Sequence, residues 1–300
     1  MDWTLTDLLL VTVLGAVVGF LSGVFGVGGG FLLVPCLNTF LGIPMPVSVG
    51  SAACYMLGPS TTAILGRRPS SGFIELPLIL GGGLFAGVLI GVQAINRLES
   101  TQAIVVFDRH LPAVDTMVLV AYLILMTFIC VMSFRDVASS SSREDTSENA
   151  GLFGRWLIPP VATIPDLRPG TYSIPLLAWT GLLVGLLSGF LGMSGGLILI
   201  PAAIYLLGMK VHDAATTTIG IVWLASFQAT VVHCLNENVD VLLVSALLVG
   251  GTVGARFGTD VGLQLPAGKL KLGFALLVLV AVLVVAGKLG LLWQNARHEI

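Results

Sequence analysis

Residues 19–35, GFLSGVFGVGGGFLLVP, return as residues 185–201, GLLSGFLGMSGGLILIP, 166 positions later and without a gap. Nine of the seventeen aligned positions are identical, among them Ser22/Ser188, Gly23/Gly189, Gly26/Gly192, Gly29/Gly195, Gly30/Gly196 and Pro35/Pro201. The chain around this duplication is built for a bilayer. Of its 300 residues 56% are hydrophobic and 10% charged, and the mean hydropathy is +0.99. No water-soluble surface can be covered from that composition, and the long apolar runs predict an all-α polytopic membrane protein. A net charge of −2 leaves no footprint for nucleic acid.

Apolar runs bounded by charge, proline or glycine predict membrane segments at about 5–25, 28–42, 47–66, 73–97 and 113–134, and again at about 173–191, 194–208, 212–233, 238–262 and 267–292. The chain thus divides into a first transmembrane repeat, 1–135, an aqueous linker rich in serine, proline and charge, 136–172, and a second repeat, 173–300. The first run is preceded by Asp2 rather than Lys or Arg and no Ala-x-Ala site follows it, so it is expected to stay as a helix.

Five crossings per repeat would invert the second repeat relative to the first. Arg67, Arg68, Lys210, Lys269, Lys271 and the linker's Arg135, Arg143, Arg155 and Arg168 would then share one face. The other face would hold Arg97, Arg109, Lys288 and Arg297. The positive-inside rule makes the first face, with the linker, cytoplasmic and leaves both termini outside the plasma (inner) membrane.

Segment 28–42 would measure roughly 22 Å as a helix, against a hydrocarbon core of about 30 Å. Its glycine-rich start must therefore lie below the membrane surface or in a re-entrant hairpin. Gly26, Gly28, Gly29 and Gly30 remove side chains there and leave N–H groups pointing outward from a helix start. Such an end carries roughly half a positive charge and attracts anions without lysine or arginine. Gly192, Ser194, Gly195 and Gly196 supply a second such end. The same glycines would equally permit close helix crossings.

Ser22 and Ser188 each precede the first glycine of their motif by four residues, and Ser51 and Thr217 stand at matching places in the next segment. Their hydroxyls can donate to an oxyanion or bond their own i−4 carbonyl. Arg256 is the deepest charge, a candidate substrate contact with Asp260 at i+4 as an alternative local partner. His233 is expected at the interface, near a helix end. Cys36, Cys54, Cys130 and Cys234 have no ligand spacing, so neither metal, disulfide nor cofactor is expected.

Repeats with glycine-broken helices are a mark of secondary transporters, with the substrate held between the repeats. A small anion is the expected substrate and lipid the surrounding partner, with homo-oligomer formation open. Because the spans carry no evident carboxylate relay, export down an inside-negative potential is the simplest coupling, worth about 2.3 kcal/mol per charge per 100 mV. Two other readings compete. Unwound carbonyls at the breaks would suit a cation or a neutral solute. Gly192-Met193-Ser194-Gly195-Gly196 also fits Gly-x-Ser-x-Gly, an intramembrane hydrolase motif that would need His233 as base. Gly28 stands where Ser194 stands in the other copy, and a nucleophile cannot be optional.

The duplicated unit resembles the sulfite exporter TauE/SafE family, as does Gly250-Gly251-x-x-Gly254-Ala255-Arg256-x-Gly258 with its partner stretch from Gly83 to Gly91. The resemblance implies a bacterial or archaeal-type plasma-membrane permease, not an enzyme. It implies as substrate sulfite, a sulfonate or a related organosulfur anion, usually moved outward.

Overall fold

The computed structural model describes residues 3–67, 75–100, 103–106, 109–139, 158–163, 171–193, 195–207, 209 and 211–295. Most of the linker, together with Arg68, Lys210, Ser194 and Arg297, lies outside them. The described chain is almost wholly helical. Its first half holds α1 (Leu5–Phe25), α2 (Gly30–Phe40), α3 (Met45–Tyr55), α4 (Leu57–Arg67), α5 (Glu75–Glu99) and α6 (Ala113–Ser139). The second half holds α7 (Ile174–Leu191), α8 (Gly196–Tyr205), α9 (Val211–Leu235), α10 (Val241–Gln264) and α11 (Ala267–Asn295). Seven described helices are long and apolar enough to cross a membrane, and α2 is a shorter apolar one. The protein is an all-α polytopic membrane protein, as its composition requires.

Local chemistry sets the helix ends. Thr4 caps α1 by accepting from the Asp7 N–H while Asp7 reaches back to the Thr4 N–H, a reciprocal capping box. Asp240 caps α10 by accepting from Leu243 N–H at 2.9 Å. Two features differ from the sequence expectation. Segment 47–66 is two helices, α3 and α4, meeting at Met56, whereas α9 runs unbroken. Two short antiparallel hairpins also form, β1 (Ala103–Val106) with β2 (Arg109–Pro112) and β3 (Val161–Thr163) with β4 (Thr171–Ser173).

Two helix crossings dominate the packing, α1 with α10 and α5 with α7. Both are made by glycine ladders spaced by four, which bring the backbones into contact. A Cβ on Gly15, Gly19 or Gly23 would stand 2.5, 2.2 or 2.4 Å from the carbonyl of Leu247, Gly251 or Ala255. From the other side, Gly250, Gly254 and Gly258 meet Thr12, Ala16 and Phe20. Gly181, Gly185 and Gly189 meet Leu80, Leu84 and Val88 in the same way, and Gly83, Gly87 and Gly91 meet Ala178, Leu182 and Leu186. The second set is the first displaced by about 166 positions along the chain. In both crossings residue numbers rise together, so each pair runs parallel. Each half therefore lends its first helix to the other, and the close approach is what small residues in membrane helices provide.

Candidate substrate site

The chain breaks between α1 and α2 and between α7 and α8 fold alike. α1 ends on Gly26 and α7 on Gly192, both left-handed, each donating its N–H to the serine four residues earlier at 2.8 Å. The short helices then start from Gly29 (φ 65°) and Gly195 (φ 69°), again left-handed, with no side-chain cap. A β-carbon would be strained at either N-cap, which is the physical reason for glycine there. Leu32 and Leu33 donate to the Gly29 carbonyl at 3.0 and 3.2 Å, and Ile198 and Leu199 to that of Gly195 at 3.0 Å. Phe31 and Leu197 N–H find no backbone acceptor among the described residues.

The two breaks touch each other. A Cβ on Gly196 would lie 1.7 Å from the Val27 carbonyl oxygen, and one on Gly30 would lie 2.6 Å from that of Gly192. Val222 of α9 packs over both, standing 2.7 Å from a Cβ on Gly28 and 2.9 Å from one on Gly196. All of this is buried. Ser22 and Ser188 are 1% and 0% exposed, and neither hydroxyl has a hydrogen-bond partner among the described residues. A β-carbon on Gly29 would lie 3.5 Å from that of Ser22, so this hydroxyl belongs to the α2 start. A serine in an apolar helix ordinarily bonds its own i−4 carbonyl. Leaving a buried hydroxyl unpaired costs roughly 1–3 kcal/mol, and here the omission is repeated at equivalent positions.

Thus Ser22, Gly26, Gly28, Gly29 and Gly30 come together with Ser188, Gly192, Gly195 and Gly196. Ser194 lies outside the described residues. Three further candidates sit elsewhere. Ser51 is buried and accepts from the Asp240 N–H at 3.1 Å, at the start of α10. Half-buried Thr217 lines a separate apolar cavity with Leu80, Leu177 and Leu199. Arg256 is exposed, with Asp260 3.9 Å away on its own helix.

Other residues reach the breaks that were not among the site candidates. Thr218 is buried, with its hydroxyl 2.7 Å from the Ala214 carbonyl and 3.4 Å from that of Gly26. Arg67 donates from one guanidinium nitrogen to the Gly23 and Val24 carbonyls at 2.9 and 3.3 Å, meeting the carbonyls that α1 leaves unpaired at its end. Its counterpart 166 positions on is His233. That side chain is fully buried near the end of α9 and stands against the backbone of Gly189, the counterpart of the Gly23 that Arg67 meets. The repeat offset alone would have paired these two residues.

Comparison with known proteins places the chain in a family. The profile of the family described as sulfite exporter TauE/SafE matches residues 11–285. The chain belongs to the sulfite exporter TauE/SafE family. It is 22% identical over 266 residues to the probable membrane transporter protein YunE of Bacillus subtilis (strain 168), covering 84% of this chain and 87% of that one. A probable membrane transporter protein of Xylella fastidiosa (strain 9a5c) is 21% identical over 290 residues, covering 94% and 96%. The probable membrane transporter protein YjnA of B. subtilis is 25% identical over 277 residues, covering 90% and 96%. No solved structure gives a significant match. As a TauE/SafE protein the chain is a multi-pass membrane transporter and not an enzyme.

Proposed function

We propose that the protein is a secondary transporter that exports sulfite, a sulfonate or a related organosulfur anion across the plasma membrane, through a site between the starts of α2 and α8. One observation carries this reading: two uncapped helix starts meet in the buried centre, each accompanied by a serine hydroxyl without a partner. Helix starts present N–H groups and partial positive charge, and a hydroxyl adds a neutral donor. Together they suit an oxyanion and ask for no lysine.

The halves act as inverted repeats in this reading, each starting from its own membrane face. The breaks leave no room for a substrate while they touch, so loading requires the halves to part at Val27 and Gly196. Rocking of one repeat against the other around a midplane site would expose it to each side in turn. Each negative charge leaving the cell gains about 2.3 kcal/mol per 100 mV. The linker is cytoplasmic and the termini external in this account.

A second reading has one observation in its favour. The carbonyls of Gly192 and Val27 stand against the opposite helix start, and such oxygens suit a cation or neutral solute. Flux from proteoliposomes separates the two. Sulfite or a sulfonate should leave faster under an inside-negative potassium diffusion potential and slower when the potential is reversed. Flux that ignores the potential and follows a proton gradient would sink the export account.

A further inference from the structure

In the packed pair α6 and α11, Asp115 and Asp136 stand near opposite ends of α6, with Arg135 beside Asp136, and Lys271 and Lys288 stand near opposite ends of α11. Lys271, near the start of α11, pairs with Asp136, near the end of α6, at 3.0 Å, with each side chain 23% exposed. Near the other end of α11, Lys288 donates to the backbone carbonyl of Asn38 at 3.1 Å, and Asp115 stands in the first turn of α6. Lys271 and Lys288 are about 25 Å apart along a helix rising 1.5 Å per residue, close to the hydrocarbon thickness. The two contacts therefore stand at opposite faces.

Each also stands at the far end of one short broken helix. Asn38 is in the last turn of α2. Its counterpart 166 positions on is Ile204 in α8, which lines an apolar cleft with Phe25, Ile200, Phe274, Asp136 and Lys271. That cleft is partly open and holds about 50 Å³. Lysine at the C-terminal end of α2 complements its dipole, and a half-buried ion pair is screened less than an exposed one.

We propose that the Asp136–Lys271 ion pair and the contact of Lys288 with the Asn38 carbonyl are two latches, one per membrane face, that hold the far ends of α8 and α2 and open in turn. Releasing the first admits water to the cleft beneath α8, and releasing the second frees α2 from the opposite side. This rests on the alternating reading of the transport cycle, and its test needs no substrate.

The full-length protein is reconstituted with its four cysteines changed to alanine and Ile204→Cys introduced, then treated with a charged, water-soluble maleimide. Asp136→Asn and Lys271→Gln should each raise the labelling rate at least fivefold. The exchange Asp136→Lys with Lys271→Asp should return it to within twofold of the parent. Lys288→Gln should leave it unchanged or lower it. Unchanged labelling in both Asp136→Asn and Lys271→Gln overturns the proposal, as does an equal rise in Lys288→Gln. The expected labelling pattern in a protein that binds no anion would count against the substrate site alone.

Discussion

Arg67 reaches across 44 residues to the Gly23 carbonyl at 2.9 Å, and it does so at the position that His233 holds in the second half. Only the first half therefore ends its leading helix on a permanent cation. Arg67→Met should destabilise the protein by roughly 1.5–3 kcal/mol, the range for hydrogen bonds to a charged group. Arg67→Lys should recover part of the loss. Thermal unfolding in detergent measures both, and an unchanged midpoint for Arg67→Met would remove the capping role.

The glycine ladders predict a sharp positional contrast. Gly254→Leu puts side-chain atoms where a Cβ already stands 2.0 Å from the Ala16 carbonyl, so α1 and α10 cannot close. Folded, monodisperse protein should be lost. Gly287 on α11 faces open space, and Gly287→Ala should be neutral or stabilise by up to about 1 kcal/mol through helix propensity. Size-exclusion profiles and unfolding midpoints of the two variants test the difference.

Ser22 and Ser188 separate stability from binding. Neither hydroxyl has a partner to lose among the described residues, so Ser22→Ala and Ser188→Ala should leave the ligand-free midpoint unchanged or slightly raised. Anion affinity should fall about tenfold for each, as expected for one lost hydrogen bond to a charge. A large drop in ligand-free stability would mean that the serines serve the fold.

Arg256→Gln tests the exposed cation. An exposed i,i+4 pair is worth about 0.3–0.5 kcal/mol, and the side chain stands apart from the touching breaks. Both the unfolding midpoint and the anion affinity should stay within experimental spread of the parent. A tenfold loss of affinity would return Arg256 to the substrate site.

Much of the fold was legible because a bilayer constrains sequence strongly: an apolar run of about twenty residues has few alternatives to a helix. The breaks were legible for a different reason, since three positive-φ glycines within four residues have few other uses. What stayed hidden depends on partners far along the chain. Ser51 looked like a substrate hydroxyl, yet its bond goes to Asp240, 189 residues away. His233 lies near the end of its helix as expected, but its burial against the Gly189 backbone has no local mark. The division of α3 from α4 at Met56 does have a local mark that the continuous apolar run obscured: Pro59 has no N–H for the Tyr55 carbonyl four residues back, and its ring crowds that carbonyl.

The most direct test of the substrate site is the unfolding midpoint of the detergent-purified protein against sulfite, sulfate, thiosulfate, taurine, sulfoacetate, acetate and chloride, with sodium and neutral solutes as controls. Preferential binding to the folded state raises the midpoint with ligand concentration. The account predicts a concentration-dependent rise selective for a sulfur oxyanion or sulfonate, abolished in Gly29→Leu and Gly195→Leu proteins that still fold. No rise with any anion, together with a rise for a cation or neutral solute, would contradict it.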